Sequence, residues 1–131
     1  MFEKLLVPFL LAILCGSAIA ASAKGWEKVE SVQIDRKSDH STIFVPNIWD
    51  HTFRMVKLTL AKGPMRITRI VVTYGDNSAV ETKPTDLIPA DGSTKDITLP
   101  SPRYIRRVDF WYEPASLGTK SATVYLWGFW Q

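Results

Sequence analysis

Residues 104–113, YIRRVDFWYE, decide the fold class. In an extended chain, Val108, Phe110 and Tyr112 fall on one side, and Arg107, Asp109 and Trp111 on the other. Strand side chains alternate between faces with a period of two, whereas a helix would scatter these residues around its axis. The alternation recurs in both directions along the chain. Downstream, residues 121–130 (SATVYLWGFW) put Ala122, Val124, Leu126 and Gly128 on one face and Tyr125, Trp127 and Phe129 on the other. Upstream, residues 53–61 (FRMVKLTLA) put Val56, Leu58 and Leu60 opposite Met55, Lys57 and Thr59.

The remaining segments read the same way. Residues 26–35 alternate, with Val32 and Ile34 sharing a face, and residues 42–45 form a short strand stopped by Pro46. In residues 65–74, Ile70, Val72 and Tyr74 agree in phase but Ile67 does not, which predicts a β-bulge near Thr68 or Arg69. Residues 79–83 are a weaker strand, and residues 84–93 read mainly as loop. Residues 95–99 form a strand closed by Pro100 and Pro102. No ten-residue segment carries apolar residues at helical spacing. Short strands with turn signals every roughly 8–12 residues predict an all-β, single antiparallel β-sandwich, jelly-roll or Ig-like, over residues 24–131.

A different pattern precedes this domain. Residues 5–15 (LLVPFLLAILC) are almost wholly apolar, Lys4 stands ahead of them, and small residues follow from Gly16 to Ala23. That is the layout of a cleavable signal peptide over residues 1–23. Cleavage after Ala20 or after Ala23 both fit the small-x-small rule. The apolar run falls short of the roughly 20 residues that span a bilayer, so no stable span is expected after cleavage. Cys15 raises lipidation as a further option, but Leu14 stands where lipoprotein signals want a small residue. The expectation is an exported protein, periplasmic or secreted.

Cys15 is the one cysteine, and it leaves with the signal. The mature domain must then fold on its core alone, without disulfides, a thiol nucleophile or a zinc–thiolate site. The net charge is +3, and losing Glu3 and Lys4 together does not change it. Basic and acidic residues are interleaved, with no nucleic-acid motif, so nucleic acid is not an expected partner.

The order of residues resembles a bacterial family of short secreted β-proteins known as a domain of unknown function. The resemblance is carried by residues 26–29 (WEKV), by Asp35 and Asp39 ahead of Ile43-Phe44-Val45, and by Val56-Lys57-Leu58. It continues through residues 70–75 (IVVTYG), 95–99 (KDITL), 103–108 (RYIRRV) and 122–128 (ATVYLWG). His40-Ser41 departs from the pattern, which has a second acidic residue there. The resemblance covers nearly the whole mature chain and implies export and a β-fold, with no assigned chemistry.

Several other constellations carry residue types suited to a site. Asp39-His40 and Asp50-His51 could supply metal ligands, but their spacing matches no metal-site signature. Ser41 beside His40 invites a hydrolase reading, yet no G-x-S-x-G elbow is present. Asp76-Asn77-Ser78 and Asp91-Gly92-Ser93 offer oxygens for calcium but lack the full loop spacing and read as turns. Glu27, Glu30, Glu81 and Glu113 show no catalytic pairing. Arg103, Arg106 and Arg107 form the densest basic group, and they read as charges guarding a strand edge or as contacts for an anionic polymer.

The aromatic row is the strongest candidate. Tyr125, Trp127 and Phe129 share a face, and Trp111 lies outward on the preceding strand. If those strands pair, Trp111, Tyr125 and Trp127 form a ligand-binding platform. Aromatics are core residues more often than ligand contacts, so the favoured reading is that this face is itself the sandwich core, with the exposed platform as the alternative. The expected function is a non-catalytic binding or structural module of the cell envelope with a protein or envelope-polymer partner. The alternative is a carbohydrate-binding module on the aromatic platform. No catalytic, metal or cofactor residue is assigned.

Overall fold

Val56, Leu58 and Leu60 are buried on one face of their strand, and Val108, Phe110 and Tyr112 on one face of theirs, as the alternation predicts. The computed structural model describes residues 25–46 and 51–130; the expected export segment and Asp50 lie outside the described residues. The strands are β1 (Gly25–Asp35), β2 (His40–Phe44), β3 (Phe53–Ala61), β4 (Met65–Tyr74), β5 (Ala79–Thr82), β6 (Leu87–Ile88), β7 (Ile97–Arg103), β8 (Ile105–Tyr112) and β9 (Ser121–Trp130). A 3-10 turn, Pro114–Ser116, separates β8 from β9. Among the described residues no helix is long and apolar enough to cross a membrane.

The strands form two antiparallel sheets. The first has the order β1-β9-β3-β7, and the second has the order β2-β8-β4-β5, with β6 paired to the start of β4. Their apolar faces contribute to one core: Val56, Leu58, Leu60, Val124 and Leu126 from the first sheet, and Ile43, Ile67, Ile70, Val72, Val108 and Phe110 from the second. The chain changes sheet repeatedly. At Tyr104 it does so in a single residue, between the end of β7 and the start of β8.

The bulge expected in β4 is present: the register against β8 jumps between Ile67 and Arg69. It rotates the phase so that Met65 and Ile67 before it, and Ile70 and Val72 after it, all face the core. A second bulge between Lys28 and Glu30 buries Val29 and Ile34 and leaves Val32 half-buried.

Two expectations need correction. The prolines do not close the strand at Leu99. β7 runs through both, and its register against β3 passes from Phe53–Arg103 to Met55–Thr98, two steps on β3 against five on β7. Pro100 and Pro102 sit in this wide irregularity on an edge strand, where a missing N–H breaks no ladder. The second correction concerns β9. Ala122, Val124, Leu126 and Gly128 are buried, whereas Tyr125, Trp127 and Phe129 are only half-buried, so the aromatic face is not the core. The small residues make room for large ones opposite. A Cβ on Gly128 would lie 2.4 Å from the Phe53 ring.

Candidate functional site

The outer face of the first sheet is built on β9, its central strand. β1 pairs along one side and β3 along the other. The register sets Trp127 between Lys28 and Lys57, Phe129 between Trp26 and Met55, and Tyr125 between Ser31 and Thr59. Outward positions on three neighbouring strands therefore collect four aromatic rings and two ammonium groups. All four rings are half-buried and Lys28 is exposed.

The geometry orders the rings. The Trp127 indole Nε1–H donates to Thr59 Oγ1 at 2.8 Å, which engages its one donor. Trp26 and Phe129 meet edge to face with centroids 5.4 Å apart. Lys28 Nζ sits 4.5 Å from the Tyr125 centroid and Lys57 Nζ 4.3 Å from that of Trp26. Each is 5.9 Å from the Trp127 centroid. Among the described residues neither lysine has a carboxylate within 4.0 Å. The nearby acids are occupied elsewhere: Glu27 accepts from the Trp130 indole at 2.8 Å, and Glu30 accepts from the Ser31 amide at 3.1 Å. The ammonium groups rest on aromatic faces alone, a contact worth about 0.5–1 kcal/mol at exposed sites.

Trp111 is not part of this face. It lies on β8, which pairs with β2 and β4 in the other sheet. Residues 113–120, including the 3-10 turn, carry the chain from one sheet to the other, so β8 and β9 are not a hairpin. The structure brings Tyr125 and Trp127 together and separates both from Trp111. Trp111 stacks on His40 at 4.4 Å and lies under the Arg69 guanidinium at 4.3 Å.

The charges around Trp111 are matched among themselves. Arg69 pairs with Glu81, and Arg107 Nε donates to Asp109 Oδ2 at 3.2 Å. Asp109 Oδ1 also accepts from Thr42 Oγ1 at 2.5 Å and contacts His40 Nε2 at 3.2 Å. Burial pushes the Asp109 carboxyl up, but the hydrogen bonds from Thr42, His40 and Arg107 outweigh it and hold the group below its ordinary range. The two outer faces thus differ in kind: one is a neutralised ion network, the other an aromatic strip with two cations unmatched by acids.

The remaining candidates have local roles. His40 bonds Asp109 rather than Ser41, and His51 stacks on Trp130 at 3.9 Å. Among the described residues no group of three or more His, Cys, Asp or Glu side chains could hold a metal ion. Asp76 Oδ1 accepts from the Ser78 amide and hydroxyl, which closes the β4–β5 turn. The loop holding Asp91 docks on β3 through Leu60 N–H to Gly92 O and a bridge between Thr59 and Ser93. Arg103 covers the Tyr74 ring at 5.0 Å and reaches Asp76, and Arg106 donates to Gly75 O. A cleft of about 780 Å³ opens beside β5 and the start of β7, floored by Ile70, Val80 and Ile97. On its rim Lys95 and Asp86 are 3.8 Å apart.

Nothing local in the sequence marks Trp26, Lys28, Lys57 or Thr59 as site residues. The alternation does put Lys57 and Thr59 on the outward face of their strand. No local signal tells that β1 and β3 flank β9, so their convergence on Trp127 is a property of the topology.

A family model described as a domain of unknown function, DUF2541, matches residues 8–128. No curated protein and no solved structure matches the chain.

Proposed function

We propose, from the premise that this chain belongs to the DUF2541 family of unknown function, that it is a non-catalytic binding module of the cell envelope whose contact face is the outer surface of the β1-β9-β3-β7 sheet. One observation carries the reading: Trp127 is flanked by Lys28 and Lys57, neither paired with a carboxylate among the described residues, on a sheet face rich in aromatic rings. Surface aromatics flanked by unmatched charge are a recognition surface with contacts still to be made. The opposite face has its charges satisfied internally and offers less.

Two readings complete the picture. The two sheets are taken as the layers of a β-sandwich, which gives the contact face a rigid backing. Residues 1–23 are taken as a cleavable signal peptide, which sets the module in the periplasm or outside the cell, where its partner is an envelope polymer or protein.

The test is cosedimentation with purified cell-wall sacculi. The wild-type domain is expected to pellet. Trp127→Ala is expected to weaken binding at least about tenfold with its melting transition retained, since central aromatics dominate interface energetics. Trp111→Ala is expected to leave binding unchanged. The opposite ranking of the two variants would move the contact face to the other sheet.

A further inference from the structure

The face around Trp127 carries information about the chemistry of its occupant, and we infer that the occupant is an acidic polysaccharide whose sugar rings stack on Tyr125 and Trp127 while its carboxylates pair with Lys28 and Lys57. This rests on the contact face proposed above and adds the ligand class.

Charge comes first. Lys28 and Lys57 approach Trp127 from opposite neighbouring strands, each ammonium 5.9 Å from the ring centroid. Among the described residues they have aromatic partners and no acidic ones. A cation on a ring face exchanges that contact readily for a carboxylate, because charge-assisted hydrogen bonds are the stronger interaction. A negatively charged occupant gains both pairs, while a neutral one leaves them unmade.

Shape comes second. The rings do not project. Tyr125, Trp127 and Phe129 are half-buried on the sheet, and among the described residues the strongly exposed large apolar ones, Phe44, Leu87 and Tyr104, lie elsewhere. A membrane surface would call for apolar side chains that insert between lipids. A pyranose needs only the face of a ring. The indole N–H of Trp127 is already committed to Thr59, so stacking is what the side chain has left to offer.

A second copy of the chain fits poorly. A symmetric contact centred on Trp127 would bring Lys28 and Lys57 of each copy close to those of the other, with no acid directly beside them. The compartment implied by residues 1–23 also sets the occupant apart from nucleic acid, which aromatic and basic strips otherwise suit.

The experiment uses polygalacturonate and its fully methyl-esterified form, two polymers with one backbone that differ in carboxylate charge. Binding is measured by calorimetry with the purified protein. Polygalacturonate is expected to bind, with Kd rising as salt is added, and the methyl ester much more weakly. Lys28→Gln and Lys57→Gln are each expected to raise Kd by about two- to fivefold, the range of single exposed ion pairs. Trp127→Ala should remove binding of both polymers. Equal binding of the two polymers with unchanged dependence on Trp127 would overturn the inference and keep the contact face. Binding indifferent to Trp127, or no binding to either polymer, would overturn the inference. The sacculus experiment then decides separately whether the contact face survives. Tighter, Lys28- and Lys57-dependent binding to phosphatidylglycerol vesicles or to a single-stranded oligonucleotide would overturn it in favour of those partners.

Discussion

The ring of Phe53 lies on the bare backbone of Gly128: a Cβ there would stand 2.4 Å from Cδ1 and 2.5 Å from Cε1. Phe53 is 1% exposed, so its ring has nowhere to withdraw. Gly128→Ala is expected to lower unfolding free energy by about 1–3 kcal/mol, the range for overpacking a filled core. Urea denaturation measures it. Adding Phe53→Leu should recover part of the loss, since the two sites are in contact and their effects are not additive. An Ala variant as stable as wild type would show that the ring is not confined.

Asp109 makes stability depend on acid. Its folded carboxyl sits below the ordinary value of 3.8, held there against the effect of burial by Thr42, His40 and Arg107. A depressed carboxyl contributes stability above its unfolded value, and that contribution is lost as pH falls through the folded value. Asp109→Asn is therefore expected to be less stable than wild type at neutral pH, with the gap closing towards strong acid. Melting temperatures of both proteins across that range check it; a constant gap would assign the loss to packing instead.

Tyr74 is 4% exposed, and among the described residues its hydroxyl has no hydrogen-bond partner. Burial raises its pKa, partly opposed by Arg103, whose guanidinium lies over the ring. A buried hydroxyl without a partner costs desolvation and returns nothing. Tyr74→Phe is expected to be neutral or stabilising in thermal unfolding. A loss above about 1 kcal/mol would reveal a hydrogen bond to the hydroxyl.

Thr94 joins the loop after β6 to β3. Its Oγ accepts from the Leu58 N–H at 3.0 Å, and its own N–H donates to Leu58 O at 2.9 Å. Thr94→Val keeps the shape and removes the acceptor, leaving a buried amide unpaired at a cost of about 1–3 kcal/mol. Hydrogen exchange at the Leu58 amide should accelerate in the variant. Unchanged protection there would mean that the loop is not what shields β3.

The strands were legible because a half-buried strand writes its orientation into its own alternation. β3 and β8 show this, since one face of each is apolar and the other polar. β9 is apolar on both faces, so local pattern could not say which was inside. The answer lay in Phe53, seventy-odd residues away, filling the space that Gly128 leaves. The prolines of β7 misled for a related reason: they forbid a central strand but not a bulged edge. The candidate site was half legible. Tyr125 and Trp127 follow from one strand, whereas Trp111 was grouped with them by assuming that neighbouring strands pair. The lysines needed the sheet order, which no single segment contains.

That sheet order also governs when the molecule can assemble. β9 is the strand that both β1 and β3 pair with, and it follows them in the chain. The Glu27–Trp130 hydrogen bond spans 103 residues. Pairings this distant close slowly, because the intervening chain must be ordered before they form. During synthesis β1 therefore waits without its partner until residues 121–130 emerge. The first sheet is completed from its middle, in one late step that a ribosome can hold back merely by retaining residues 121–130.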